Sequence, residues 1–219
     1  MKVLNLYAGI GGNRKLWTDV EVTAVEYDPK IAAVYQDFFP DDTVLVEDAH
    51  QYLLEHFEEY DFIWSSPPCP THSQLRKYSL VTRGIVDPVY PDMRLYQEII
   101  FLQHHFKGLW CVENVIGYYK PLIKPQEKGR HYFWANFLIR DITIPSGQIE
   151  QGTIDIWQKK TGFDLSPYNG IDKRVMLRNC VNSKLGEHVL DCARGNTQQS
   201  LTAFSKSKRT SIKTKQLRT

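Results

Sequence analysis

A lone thiol, Cys69, follows an apolar run and stands between prolines in Trp64-Ser65-Ser66-Pro67-Pro68-Cys69-Pro70-Thr71-His72-Ser73. Proline fixes φ and removes a backbone donor, so this stretch ends the preceding strand (62–65) and holds the next turn rigid. A cysteine presented in this way has the character of a nucleophile at the carboxyl end of a strand, where open α/β sheets place their ligands. Glu113, in Glu113-Asn114-Val115, leaves another apolar strand (109–112) on the same sheet edge. A carboxyl group there can have its pKa raised and act as a proton donor, although taken alone it is equally a loop acid. The glycines of Leu6-Tyr7-Ala8-Gly9-Ile10-Gly11-Gly12 follow a strand and precede an expected helix at 13–17. They permit a tight turn, either for its own sake or for close approach of a ligand to backbone N–H groups. Acids end two further strands. Glu26, in Val25-Glu26-Tyr27-Asp28, can accept from both hydroxyls of a ribose, whereas Asp28 beside Pro29 suits a helix cap. Asp48 can accept from an adenine amino group or simply cap the helix that follows it. As a series, these strand ends favour a nucleoside cofactor.

The elements that must hold these residues alternate. Apolar runs with β-branched character at 3–6, 22–25, 43–46, 62–64 and 109–112 each end in turn signals. Between them, 30–39 places Ile31, Val34, Tyr35 and Phe38 on one helical face, a helix is expected over 51–57, and 93–106 repeats the pattern with Leu95, Ile99, Leu102 and Phe106. This rhythm predicts an α/β fold with a doubly wound, mostly parallel sheet. Further on, 132–138 and 139–144 read as an antiparallel pair at the sheet edge, 148–170 as irregular, and 176–193 as a single returning helix.

Composition agrees with this reading. The 219 residues are 42% hydrophobic and 24% charged, which suits a globular chain of one ordinary domain. The opening residues are apolar for only a short stretch and no run reaches membrane-spanning length, so a cytoplasmic protein without a membrane partner is expected. The four cysteines, Cys69, Cys111, Cys180 and Cys192, form no CxxC pair, which predicts free thiols and no metal. The net charge of +2 hides an asymmetry: 196–219 holds six Lys/Arg and no acid, leaving 21 basic against 25 acidic residues in 1–195. Such a tail reads either as a solvated, disordered end or as a phosphate-binding arm.

Taken together these residues resemble the DNA (cytosine-5) methyltransferase family. The resemblance rests on Tyr7-Ala8-Gly9-Ile10-Gly11-Gly12 against the family's FAGxGG element, the acid Glu26, the Pro68-Cys69 pair, and Glu113-Asn114-Val115, in the family's order and near its spacing. It covers 1–140 well, with a weaker echo in Arg178-Asn179-Cys180-Val181. It implies a Rossmann-like, S-adenosylmethionine-dependent methyltransferase fold. The glycine loop with Tyr7 would hold the methionyl part of S-adenosylmethionine, Glu26 its ribose and Asp48 its adenine amino group; Tyr27 would stack on the adenine, with Pro68 and Asn179 also on the cofactor side. Cys69 would add to cytosine C6, Glu113 would hold the base edge and supply a proton, Asn114 would position that loop, and Arg130 would match the first arginine of the family's QxRxR element. The segment 71–91 would be the loop that closes over duplex DNA, with Ser73, Arg76, Lys77 and Arg83 toward phosphate.

The chain departs from the family pattern at Pro70, where Gln is usual, at Tyr132 in place of the second arginine, and at Arg178 in place of Gly. Only about forty residues separate Phe137 from Arg178, where the family inserts a larger target-recognition domain. The implied division is therefore 1–140 for cofactor binding and catalysis, 141–175 as a reduced recognition region, 176–195 as a returning helix and 196–219 as a basic tail. Sequence choice would then be minimal or supplied by a separate specificity subunit. A cytosine-5 methyltransferase acting on RNA and a catalytically degenerate, nucleic-acid-binding subunit are the alternatives. Ser66-Pro67-Pro68-Cys69 also resembles the Asp/Asn/Ser-Pro-Pro-aromatic motif of amino-methyltransferases, but Cys69 lacks the aromatic face that stacks on the base.

Overall fold

The computed structural model describes residues 1–143 and 153–195. The strand-forming runs become β1 (Lys2–Leu6), β2 (Glu21–Val25), β3 (Thr43–Leu45), β4 (Phe62–Ser65) and β5 (Leu109–Val115), all parallel to their neighbours. Two short antiparallel strands, β6 (Gln126–Lys128) and β7 (His131–Ala135), complete a seven-stranded sheet of order β3-β2-β1-β4-β5-β7-β6. The reversal of strand order beside β1 is the topological switch of a doubly wound, Rossmann-like sheet, and it opens a crevice at the carboxyl ends of the central strands. β1 and β4 are buried on both faces, which is why they read as continuous apolar runs rather than alternating ones.

Helices cover the two faces. α1 (Pro29–Phe38) begins with Asp28 accepting from the Lys30 amide, and α2 (Ala49–His56) begins with Asp48 accepting from His50 and Gln51. α3 (Arg94–His105) buries Leu95, Ile99 and Leu102, as its apolar spacing predicts. One core layer joins these side chains to Leu4, Ile63 and Val112; the opposite layer holds Val3, Phe62, Trp64 and Phe133 against Leu185, Val189 and Leu190. Among the described residues no helix is long and apolar enough to cross a membrane.

Four expectations are corrected. Residues 13–17 form turns, not a helix: Asn13 Nδ2 donates to the buried Asn5 at 2.8 Å, Arg14 pairs with Asp42 at 2.8 Å, and Trp17 packs on Phe62 and Trp64. The edge hairpin lies earlier than expected, because Gly129, at φ 63°, supplies the positive φ that a two-residue turn between β6 and β7 requires. The stretch expected to be irregular contains α4 (Ile154–Thr161), which escapes a periodicity search because Trp157 is its single buried residue. The returning segment is two helices, α5 (Lys173–Asn179) and α6 (183–195), interrupted where Asn182 Oδ1 accepts from Lys184 and Leu185. The start of the expected irregular stretch at 148–152, the end of the expected strand at 144 and the basic tail lie outside the described residues.

Candidate active site

A cavity of about 870 Å³ opens at the carboxyl edge of the sheet. It brings together the glycine loop after β1, the acids after β2 and β3, the proline turn after β4, Glu113 and Asn114 of β5, and the 178–181 segment after α5.

The glycine loop is shaped by its own contacts. Tyr7, Gly9 and Gly11 all have positive φ. The Ala8 amide donates to Val25 O and the Gly11 amide to Ala8 O, while the Gly9 amide donates to Glu26 Oε2 at 2.9 Å. Glu26 Oε1 accepts from the Asp28 amide at 3.0 Å, so this carboxylate braces the loop and still has lone pairs for a ligand. Gly12 lies so close to the segment after α5 that a Cβ there would stand 2.8 Å from Cys180 Cβ. Asp48 uses Oδ1 in its cap, and its Oδ2 stands 4.0 Å from Arg94. Tyr27 is 76% exposed, which leaves its ring face open to a stacking partner. Ile10 lines the cavity from the loop; Pro68 lines it from the turn, and the exposed Asn179 from the end of α5.

Glu113 and Asn114 lie inside β5, which is longer than the sequence suggested, and both are buried. Asn114 Nδ2 donates to Pro67 O at 2.9 Å, tying β5 to the turn that carries Cys69. Glu113 Oε2 accepts from Ser66 Oγ at 2.8 Å, and Ser66 Oγ accepts in turn from Trp64 Nε1 at 2.8 Å. Its other oxygen meets His131 Nδ1 at 2.5 Å. Burial pushes the Cys69 thiol pKa up, the Glu113 charge adds to this, and the Arg178 guanidinium opposes it.

The structure does not bring every expected residue here. Arg130 is exposed and lines a neighbouring cavity; the β6–β7 residue that meets Glu113 is His131. On the 71–91 segment, Ser73 Oγ accepts from the Leu75 and Arg76 amides, Arg76 donates to Asp87 O at 3.0 Å, and Lys77 lies 5.9 Å from the Tyr118 ring centre. Arg83 is exposed. None of these four lines the cavity, and neither does Gly11, which is packed toward the Phe39 and Tyr35 rings.

Two residues went unnoticed in the sequence. His131 alternates with the buried Phe133 and so faces the same side as Glu113 across the β5–β7 pairing. Glu98 of α3 is buried and accepts from Tyr7 Oη at 2.6 Å and Ser65 Oγ at 2.5 Å, with His50 Nδ1 at 2.9 Å. An acid between Leu95 and Ile99 on an apolar helical face was the available signal.

Comparison with known proteins follows the same part of the chain. A family model of the C-5 cytosine-specific DNA methylases matches residues 1–118, which hold the glycine loop, Glu26, Asp48, Cys69 and Glu113. No match was found among curated proteins. Among solved structures, a triple-alanine mutant of Spodoptera frugiperda DNMT2 is similar at 28% identity, over 53% of this chain and 36% of that one, with a TM-score of 0.37. The Entamoeba histolytica methyltransferase EhMeth is similar at 13% identity (52% and 38% covered, TM-score 0.35), and TrmN from Thermus thermophilus at 19% (52% and 33%, TM-score 0.33). The chain thus spans about a third of the length of these proteins. Its matched residues run through every strand of the parallel sheet and through the proline turn and glycine loop that meet at the cavity, and on that match the chain belongs to the C-5 cytosine-specific DNA methylase family.

Proposed function

We propose that this chain transfers a methyl group from S-adenosylmethionine to C5 of cytosine in DNA, with Cys69 as the nucleophile. The observation that carries this reading is the convergence of Cys69 and Glu113 on the cavity that also holds the glycine loop and Glu26. The residues fit the cofactor. Gly9 leaves the loop open where it meets the cavity, Glu26 retains acceptor capacity for a ribose, Asp48 Oδ2 is not used in the helix cap and stands beside Arg94, and Tyr27 offers an open ring face. S-adenosylmethionine, when bound, supplies the electrophilic methyl group.

The reaction then follows from the protein's own groups. The Cys69 thiolate forms a bond to C6 while Glu113 gives a proton to N3, so electron density collects at C5, the atom that becomes methylated. Return of the N3 proton to Glu113, loss of the C5 proton to solvent and cleavage of the C–S bond then restore the ring and release Cys69. The Glu113 charge raises the Cys69 pKa, so neutralising that charge would make the thiol easier to ionise. Ser66 and His131 fix the direction in which Glu113 points. C6 is shielded in a stacked duplex, so the base must leave the helix, at a cost of a few kcal/mol that contacts in the cavity offset.

The test is covalent trapping. With S-adenosylmethionine present, an oligodeoxynucleotide duplex containing 5-fluorocytosine is expected to form a stable adduct with the wild type and none with Cys69→Ser. Trapping of the matching RNA instead would move the substrate to RNA. Cofactor binding without any adduct or methylated cytosine would make the chain a binding subunit.

A further inference from the structure

Beside the active-site cavity lies a second, smaller one of about 210 Å³, between the β6–β7 turn, α4 and the start of α6. The two share His131 and Arg178 in their walls, so this cavity begins where the Glu113 site ends. Four of its lining residues, Lys128, Arg130, Lys160 and Arg178, are cationic, and none is acidic. Lys128 is offset by an ion pair with Asp141 at 2.5 Å, but Arg130 and Arg178 have no carboxylate partner among the described residues. The first turn of α6 borders the same space and adds the partial positive charge of a helix N-terminus.

One further observation points to an acceptor. Trp157, also in the lining, is only 7% exposed, and its indole Nε1 has no hydrogen-bond partner. A buried donor left unpaired costs about 1–3 kcal/mol, and such a group calls for an explanation. A phosphate oxygen is an acceptor suited to the surrounding cations, one of which, Lys160, stands 5.4 Å from the Trp157 ring centre, and it would suit the covered N–H once a small side-chain movement opens it to the cavity.

We propose that this cavity binds a phosphodiester group of the nucleic-acid strand that carries the target cytosine, adjacent to the flipped base. The inference rests on the nucleic-acid reading of the active site. It gives a role to residues 153–185, which stand where a larger recognition domain is expected: they hold the backbone of the strand without reading its sequence. Phosphate contacts fix register and orientation and carry no sequence information directly.

The experiment compares the full wild-type chain with Lys160→Gln, Trp157→Phe and the double variant Arg130→Gln/Lys160→Gln, using a fluorescent 5-fluorocytosine duplex. Arg130 and Lys160 are exposed, so the fold tolerates these changes, and an unchanged thermal midpoint checks this. The double variant is expected to bind more weakly by about tenfold or more at low salt. Between roughly 50 and 200 mM salt, its slope of log affinity against log salt should become shallower by about one per lost phosphate contact. Trp157→Phe, which keeps the ring and removes the N–H, should weaken binding several-fold without changing the slope. Lys160→Gln alone should weaken duplex binding by less than the double variant and flatten the salt slope by about one.

If trapping is intact and the double variant keeps the wild-type affinity and slope, the cavity proposal fails while the active-site reading stands. If the wild type binds no nucleic acid, both fail together. A third arm measures inorganic phosphate binding to the free protein at matched ionic strength. Phosphate binding lost in the double variant, with nucleic-acid affinity unchanged, makes this a free-phosphate site and overturns the proposal.

Discussion

The hydroxyl of Tyr7 donates to Oε1 of Glu98 at 2.6 Å, linking the first residue of the cofactor loop to the buried face of α3. The same carboxylate takes Ser65 Oγ and His50 Nδ1, so three elements converge on one buried acid behind the cavity. Burial, reinforced by the charge of Glu98, pushes the Tyr7 phenol far above its ordinary pKa and keeps it a neutral donor. Glu98→Gln would put an NH2 donor either against Tyr7 Oη and His50 Nδ1 or against Ser65 Oγ. It is expected to cost about 1–3 kcal/mol of stability and to weaken S-adenosylmethionine binding, because the Tyr7 ring lines the cavity. Denaturant midpoints and calorimetric titration measure the two effects; a variant with the wild-type midpoint would show that Glu98 does not anchor the loop.

The coupling of Cys69 to Glu113 predicts a pH profile. Burial first, then the negative charge of Glu113, raises the thiol pKa, and Arg178 lowers it. Alkylation of Cys69 by iodoacetamide should therefore still be rising with pH beyond the range of an ordinary cysteine. Glu113→Gln should move the profile to lower pH and Arg178→Gln to higher pH. Two variants displaced in the same direction would mean that changes in burial, not these charges, set the thiol.

Much of this site was legible because its residues sit at strand ends, where apolar runs stop and chemistry-bearing side chains begin. The parallel strands, α1 and α3, Cys69, Glu26 and the glycine loop all follow from such local patterns. What escaped depends on contacts between distant segments. Residues 13–17 have helical spacing, but Asn13, Arg14 and Trp17 are each held by another part of the chain, so turns win. Glu113 reads as a residue beyond its strand because its burial comes from the pairing with β7, which the local sequence of β5 does not contain. The family resemblance points to Arg130, whereas the turn at Gly129 sets the β7 register and carries His131 to Glu113. α4 carries too narrow an apolar stripe to register as a helix, yet its Trp157 joins Ile10, Val34 and Leu177 in one cluster and ties 153–180 to the cofactor loop.

That attachment makes Gly12 a sensitive position. An alanine there would place its Cβ 2.8 Å from Cys180 Cβ and 2.9 Å from both Cys180 Cα and Val181 O. Backbone atoms cannot rotate away, so the 180–181 segment must move. Gly12→Ala is expected to cost about 1–3 kcal/mol and to lower cofactor affinity. Gly9→Ala is the control: at φ 55°, with no other atom within 4 Å, it carries only left-handed strain of about 1–2 kcal/mol. Calorimetric titration should therefore show the larger loss of affinity in Gly12→Ala, and equal losses would mean that contact with 180–181 is not what shapes the loop.

His50 makes stability depend on pH. Its hydrogen bond to Glu98 holds its pKa above the ordinary histidine value, with the charges of Glu98 and Asp48 acting in the same direction and partial burial and Arg94 acting against it. A histidine whose pKa is raised by folding contributes stability that is fully present below its unfolded value. That contribution is lost as pH rises through the folded value. The wild type should therefore exceed His50→Gln in stability by more at about pH 6 than at about pH 8.5, the loss beginning near the ordinary histidine value of about 6.5. Urea midpoints of the two proteins at both pH values provide the measurement. Because Glu98 also holds Tyr7, S-adenosylmethionine affinity should weaken over the same window in the wild type and stay flatter in His50→Gln. A stability difference equal at both pH values would mean that folding does not change the proton affinity of His50, and that its bond to Glu98 gives no pH-dependent stability.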